Sequence, residues 1–322
     1  MDDKAKAVRR MLIDDFPAYE RQLEEQMRNI RRPRRERRRI RGDALPQFPA
    51  KSSLSPDVLQ EVLGEIDEAE VPDSFKHSSK EFYDKIKGDC YSVGRKLRGR
   101  VLMVTMTAER DGWRADVKAL AELFRALKFD IVPVFDPTHQ SLQSDLQHFA
   151  ESKENEHADC VFVVVMAHGN RTNSGKDYIV TKDGCPFMVE EEIQQFFNNE
   201  VAEYLREKPK VFIMQKCRGD NEDTGVILCD AEACMTRKLP TWSDFLFGHS
   251  TLPGNKAFRD ETKGSWYIQE LARVFLEHAH DQSVMDMLTK VNRALDLRHE
   301  ELKQATVMTA SLNHKFFLFP GI

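Results

Sequence analysis

A cysteine and a histidine stand where two apolar runs of this sequence end. Cys217 follows the run from Val211 to Met214, which has the length and composition of a buried strand. His168 closes a stronger run that starts at Asp159. In open α/β sheets the carboxyl ends of the strands are where ligands bind, so these side chains could act as nucleophile and base on one rim. The alternative for Cys217 is an inert, half-buried thiol.

The residues on either side of the cysteine are cationic. Lys216 and Arg218 flank Cys217 and give it a local field that favours the thiolate. His168 lies 49 residues upstream, on a predicted neighbouring strand. A thiolate next to a base is suited to covalent attack on a carbonyl.

These two motifs resemble those of the caspases, which are aspartate-specific cysteine proteases. Residues 215–219 (Gln-Lys-Cys-Arg-Gly) match the family signature except at Lys216, where the family usually has alanine. Ala167-His168-Gly169 matches the family's Ser-His-Gly apart from its first residue. The likeness runs from about Arg98 to the C-terminus, and three more segments match in the family's order: 110–112 (Arg-Asp-Gly), 250–254 (Ser-Thr-Leu-Pro-Gly) and 264–266 (Gly-Ser-Trp).

The resemblance implies a role for each matching residue. Cys217 and His168 would be catalytic, and the backbone N–H groups of Gly169 and Cys217 would stabilise the oxyanion. Arg110 and Arg259 would clamp the substrate aspartate.

Gln215 would lie beside that clamp, and Trp266 would form an apolar wall of the outer subsite. Two residues depart from the family pattern. Lys256 stands where many members have an aromatic residue, and Asp260 stands where asparagine is common. A carboxylate at Asp260 should disfavour an acidic residue four positions before the cut.

The rest of the pattern predicts the elements that must position these residues. From Arg100 onward, strands and helices alternate, which indicates a parallel sheet with right-handed crossovers. The fold class is therefore α/β, and the resemblance implies a caspase-like fold with a six-stranded, mostly parallel central sheet flanked by helices. The predicted strands are 101–106, 130–135, the two apolar runs, 241–248 and a terminal pair, 305–312 with 315–319; a hairpin spans 178–189, and the helices are 113–128, 141–151, 190–199, 265–278 and 284–297.

Composition narrows the function classes. The chain has 322 residues, 41% of them hydrophobic, and a net charge of −5, which argues against general attraction to nucleic acid or membranes. None of its six cysteines forms a Cys-x-x-Cys pair, so we expect reduced intracellular thiols and neither a metal site nor another cofactor. No membrane span or signal peptide is predicted. The expected location is the cytoplasm.

Residues 1–80 differ in composition from the rest of the chain, which predicts a basic, largely disordered extension that resembles a short prodomain. Residues 30–41 contain eight arginines, typical of a nuclear-localisation signal, an anionic-surface patch or a solvated tail. The nucleus is therefore a second expected location. Residues 55–69 combine a serine cap, a proline in the first turn and helical apolar spacing, which predicts an amphipathic helix that binds a partner or packs on its own domain.

The resemblance also implies a zymogen activated by cleavage, with an apoptotic or related proteolytic role. We expect a cut after Asp230 between a large-subunit region (81–230) and a small-subunit region (231–322), and a second cut after Asp73. An upstream caspase is a candidate activator. Two units would pair through the terminal strand near Val307 to form a homodimer, and protein substrates would be cut after aspartate.

Three alternatives stay open at this point. The chain could be an inactive caspase-like regulator that binds caspases or their adaptors, because Lys216 and Lys256 depart from the family pattern. It could be a paracaspase or metacaspase relative that cuts after arginine or lysine, but Arg110 and Arg259 make this pocket basic. A weaker alternative is nucleic-acid binding through residues 31–41.

Overall fold

The computed structural model describes residues 54–172, 175–218, 243–298 and 302–322. The helices in these ranges are α1 (Pro56–Asp67), α2 (Lys80–Ile86), α3 (Trp113–Ala126), α4 (His139–Glu151), α5 (Gln194–Phe197), α6 (Trp266–His278) and α7 (Val284–Asp296). The strands are β1 (Gly99–Thr105), β2 (Phe129–Phe135), β3 (Val161–Met166), β4 (Gly169–Arg171), β5 (Asp177–Val180), β6 (Pro186–Met188), β7 (Lys210–Gln215), β8 (Phe245–His249), β9 (Arg259–Asp260), β10 (Gly264–Ser265) and β11 (Val307–Ala310).

Six strands form the central sheet in the order β11-β8-β7-β3-β1-β2. All neighbours in it are parallel except β11, which runs antiparallel to β8. Every residue of β1, β3, β7 and β8 is buried, which is why these strands read as nearly continuous apolar runs. The predicted fold class, α/β with a six-stranded and mostly parallel sheet, is confirmed.

The sheet has a hydrophobic layer on each face, because successive strand residues point to opposite sides. Val101 and Met103 of β1 pack towards α3, α6 and α7. Leu102 and Val104 of the same strand pack towards α4 and α5. These two layers clamp the strands and so hold the strand ends in fixed positions.

The two edges of the sheet differ chemically. Edge strand β2 carries Pro133 in its middle, and proline has no N–H to offer to a further strand. The other edge is β11, whose Thr309 and Ala310 are exposed. A further strand could therefore pair more readily with β11 than with β2.

Helix α1 packs on the domain. Ser55 caps it by accepting from the Val58 N–H at 3.4 Å, as predicted, and Val62 and Ile66 are buried in the larger core layer. At its solvent edge both carboxylate oxygens of Glu61 accept from Arg114, at 3.0 and 3.1 Å. The described residues of the 1–80 region thus include a helix that packs against α3.

The prediction of a terminal strand pair, 305–312 with 315–319, is wrong. Residues 307–310 form β11, but residues 315–319 make only single bridges, through Lys315 to Cys90 and through Phe317 to Ser283. The intervening Asn313 explains why the chain leaves the sheet. Its N–H donates to the Tyr91 hydroxyl and its side-chain amide donates to Asp244.

The helix predicted over 190–199 is also wrong in part. A π-helical turn at Val189–Ile193 comes first, and the α-helix covers only Gln194–Phe197. The predicted hairpin forms from β5 and β6, and β4 pairs with β5 to complete a three-stranded sheet. A two-stranded hairpin of β9 and β10 carries Arg259. Within the described ranges, no helix is both long and apolar enough to cross a membrane.

Candidate active site

Strands β3 and β7 bring the histidine and the cysteine to one rim of the sheet. The strands are adjacent and parallel, with Met166 opposite Gln215. The Ala167 N–H extends this pairing by donating to the Gln215 carbonyl at 3.1 Å. His168 and Cys217 each lie two residues beyond that register pair, as the two apolar runs predicted.

A backbone carbonyl orients the His168 imidazole. The ring nitrogen Nε2 lies 3.0 Å from the Glu109 carbonyl oxygen, which can only accept, so Nε2 carries the proton and Nδ1 keeps its lone pair. The His168 side chain reaches the solvent, but crowding by protein atoms on its other sides, followed by the positive charges of Arg110 and Arg259, lowers its pKa to about 4. At neutral pH the imidazole is therefore uncharged and can accept a proton.

This low pKa makes a measurable prediction. In an NMR titration, the His168 ring, assigned with His168→Gln, should titrate near pH 4 rather than at the ordinary value of about 6.5. Arg259→Gln should raise that pKa, because it removes a nearby positive charge that opposes protonation. Arg273→Gln, which alters an exposed arginine on α6, should leave it unchanged. A wild-type midpoint at or above 6.5 would contradict this account.

Cys217 is partly exposed, and its sulfur lies 3.9 Å from the Ala257 carbonyl oxygen. The flanking Lys216 and Arg218 are both buried and both pair with Asp177 of β5. The charges expected to act on the thiol are therefore partly offset by a carboxylate.

Arg110 is deeply buried, with 1% of its surface exposed. Its Nη2 lies 3.4 Å from both Asp116 Oδ2 and Ser265 Oγ. Its Nε and Nη1 are buried and have no hydrogen-bond partner among the described residues. Burial lowers its pKa to about 10, so it stays charged at neutral pH.

Close packing of two loops brings Arg259 to Arg110. Gly112 has φ of +80°, and a side chain there would place Cβ 2.4 Å from the Asp260 carbonyl oxygen. Asp116 accepts from the Ser265 N–H at 2.7 Å and so ties α3 to the start of α6. Across this junction Arg259 Nη2 donates to the Glu109 carbonyl at 3.3 Å, the same oxygen that accepts the hydrogen bond from His168 Nε2.

A family model for the Caspase domain matches residues 99–317, more than half of the chain. The chain belongs to the caspase family. It is 29% identical over 278 residues to Caspase-2 of Gallus gallus, covering 76% of this chain and 64% of that protein, so it spans less than two thirds of that relative. It is 33% identical over 201 residues to Caspase-14 of Homo sapiens, covering 60% of this chain and 80% of that protein.

The fold also matches a solved caspase. Caspase-1 from Spodoptera frugiperda superposes with a TM-score of 0.63 at 23% identity, covering 71% of this chain and 93% of that chain. At that identity the likeness establishes the fold alone.

The residues predicted to form the outer subsite lie among aromatic and charged side chains. The ring of Trp266 packs against Phe258 at 5.1 Å, and the Arg298 guanidinium covers it at 4.5 Å. Lys256 stands where many caspases have an aromatic residue, and in this chain Phe258 places an aromatic ring two positions later. The Asp260 carboxylate accepts from the Lys263 N–H and from both the hydroxyl and N–H of Thr262, which lowers its pKa to about 2.

The remaining predicted site residues take these places. Gln215 is buried at the end of β7, and its Oε1 has no partner among the described residues. Gly169 opens β4, where a side chain would place Cβ 2.4 Å from the Tyr178 carbonyl oxygen. Asp73 is exposed. Asp230 lies outside the described residues.

Sequence reasoning missed three contributors. Glu109 acts through its main-chain carbonyl. Every residue has such a carbonyl, so the residue type does not indicate this role. Asp116 reads as an ordinary acidic residue in the first turn of a helix, yet it is buried against Arg110. Asp177 lies in the predicted hairpin, and its distant cationic partners cannot be inferred from spacing along the chain.

Proposed function

We propose that this chain is a cysteine endopeptidase that cleaves proteins after aspartate. One observation carries the proposal: two nitrogens of the buried Arg110 guanidinium, Nε and Nη1, have no hydrogen-bond acceptor in the part of the chain that the structure describes, and the same region contains Arg259, His168 and Cys217. A buried donor without an acceptor costs about 1–3 kcal/mol, and a substrate carboxylate would satisfy both. A pocket lined by two arginines would repel lysine or arginine, which disfavours the paracaspase and metacaspase alternative.

The proposed reaction starts with the Cys217 sulfur attacking the carbonyl carbon of the aspartyl residue. A C–S bond forms, and the oxyanion accepts from the backbone N–H groups of Gly169 and Cys217. The neutral His168 imidazole takes up the thiol proton and passes it to the amine nitrogen as the C–N bond breaks. Water then hydrolyses the thioester, and the thiol is restored.

A positional peptide library tests the activity and its specificity together. Purified protein should hydrolyse peptides with aspartate before the cut and should disfavour an acidic residue three positions further upstream, because ionised Asp260 repels a second carboxylate. The Cys217→Ala variant should hydrolyse none of the peptides. Absence of turnover on every pool, together with binding to an active caspase, would instead favour the alternative of an inactive regulator.

The edge at β11 supports a proposal about assembly. A second copy would pair along β11 as a symmetric, antiparallel contact, which covers the strand edge in both copies. The opposite edge is blocked by Pro133 of β2. We therefore propose a homodimer through β11.

Activation should depend on cleavage after Asp230. More than twenty residues connect β7 to β8, and loops of that length in compact domains are often functional. The small piece, 231–322, would carry β8, which pairs with β7 and should keep both pieces associated after the cut. Mass spectrometry after autoprocessing should find a small fragment that begins at Ala231. A different start, or normal maturation of Asp230→Ala, would contradict this prediction.

A further inference from the structure

The residues before and after the cysteine are anchored to one buried carboxylate. Lys216, with 1% of its surface exposed, places Nζ 3.3 Å from Asp177 Oδ2. Arg218 places Nε 2.5 Å from the same oxygen, and Arg171 places Nε 2.8 Å from Oδ1. Asp177 thus faces three cations, two of which bracket Cys217.

The anchor comes from the histidine side of the site. Asp177 lies on β5, opposite Arg171 of β4, and β4 begins at Gly169 directly after His168. Other contacts to this segment come from the loop after β8: Ser250 Oγ donates to the Lys216 carbonyl, and Arg218 Nη1 donates to the Thr251 carbonyl. Asp177 therefore links the cysteine segment to β4, and Ser250 and Thr251 hold the opposite side.

The lysine stem also packs against the proposed oxyanion site. A Cβ placed on Gly169 would lie 2.9 Å from Lys216 Cδ, so this methylene chain passes directly beside the Gly169 backbone. Alanine, the usual family residue at position 216, would supply neither this packing nor the charge. Lys216 and Asp177 thus form a pair that joins both halves of the oxyanion site.

We propose that the ion pair between Lys216 and Asp177 positions the Cys217 and Gly169 backbones for the reaction, with Lys216 as a positioning residue rather than a catalytic one. This inference rests on the proposed peptidase function. It also accounts for the lysine that interrupts the family motif, because Asp177 supplies its counter-charge.

The pair should respond to pH near the physiological range. Burial lowers the pKa of Lys216 to about 8, although Asp177 opposes this and Arg218 adds to it. Among the described residues, the charged or titratable groups facing Lys216 are Asp177, Arg218, Cys217 and His249, and Arg171 pairs with the other oxygen of Asp177. His249 is buried, and its pKa is lowered to about 3. As the pH rises through about 8, Lys216 loses its proton and the ion pair is lost.

The test measures two rates from pH 6.5 to 9.5: hydrolysis of an aspartyl peptide, and iodoacetamide alkylation read at the Cys217 peptide by mass spectrometry. The neutral replacement Lys216→Met should lower kcat about tenfold with little change in KM, because it misplaces the oxyanion donors rather than the substrate clamp. It should also remove the break near pH 8 from the hydrolysis profile and change the alkylation profile, which in every variant rises as the thiol ionises. Lys216→Arg should restore part of kcat and shift the break to higher pH.

Lys210 provides a matched control. It is buried at the opposite end of β7, and burial lowers its pKa to about 8 as well. Lys210→Met should keep the wild-type form of both profiles. Asp177→Asn should be more harmful than Lys216→Met, because it leaves two buried cations, Lys216 and Arg218, without their anion, and adding Lys216→Met should partly rescue it.

The outcomes separate this proposal from the peptidase proposal. If no peptide is cut but Lys216→Met changes the alkylation profile, the peptidase function fails and the positioning pair stands. If peptides are cut and Lys216→Met changes neither kcat nor the pH profiles, the positioning pair is overturned and the peptidase function stands. Lys216→Met keeps the test decisive even if Asp177→Asn fails to fold.

Discussion

Replacing either Cys217 or His168 with alanine should remove nearly all hydrolysis of an aspartyl peptide, and replacing both should be little worse. In the proposed mechanism the residues act as a unit: without the histidine the thiol loses the base that takes up its proton, and without the sulfur the covalent intermediate cannot form. We expect each single loss to be at least about a thousandfold in kcat, measured with a fluorogenic substrate at pH 7.

Two further variants sharpen this test. Cys185→Ala removes another partly buried thiol and should keep full activity. A double mutant whose loss equals the product of the two single losses would show independent action. Substantial turnover by His168→Ala at neutral pH would contradict its assigned role.

Replacing Arg259 with methionine should collapse the preference for aspartate. Methionine keeps much of the bulk but cannot donate a charge-assisted hydrogen bond, so a bound carboxylate would lose solvation without a full replacement. We expect kcat/KM for aspartyl peptides to fall about a hundredfold or more, a loss of roughly 3 kcal/mol in transition-state binding. Peptides with asparagine at the same position should be affected far less.

Arg259 is a cleaner test than its partner Arg110. Arg259 is partly exposed and donates to the main-chain carbonyl of Glu109, so its removal strips no buried carboxylate of a hydrogen bond. Arg110→Met would leave the buried Asp116 carboxylate without its cation and would also reduce stability. Arg273→Met on the exposed face of α6 is the matched control. Wild-type efficiency of Arg259→Met on aspartyl peptides would exclude Arg259 from the clamp.

The sequence predicted best the features that depend on local apolar pattern. The runs that became β3 and β7 are buried along their whole length, so period and composition were sufficient to place His168 and Cys217 at adjacent strand ends. The terminal hairpin failed because Asn313 is held by Tyr91 and Asp244, which are distant in sequence. Local turn chemistry could not reveal those partners.

The candidate site shows the same division between local and distant information. Motif residues such as Arg110 were identifiable by type and order, whereas the Glu109 carbonyl is available to any residue. In the sequence, Lys216 was only a departure from the family signature around Cys217. Its counter-ion, Asp177, lies on a hairpin 39 residues earlier, so the pairing could not be inferred from the motif. A buried ion pair between separate elements becomes visible only when the fold brings its partners together.

Helix α1 has a further consequence for the proposed cut after Asp73. Its contact with the domain rests mainly on two buried aliphatic side chains, Val62 and Ile66. Such burial is worth about 3–6 kcal/mol in total, and the exposed ion pairs with α3 add little. A micromolar complex between separate chains needs about 8 kcal/mol. The intact linker supplies a high effective concentration, so cutting it would turn a stable intramolecular helix into a weakly bound peptide that leaves on dilution and uncovers an apolar groove on α3.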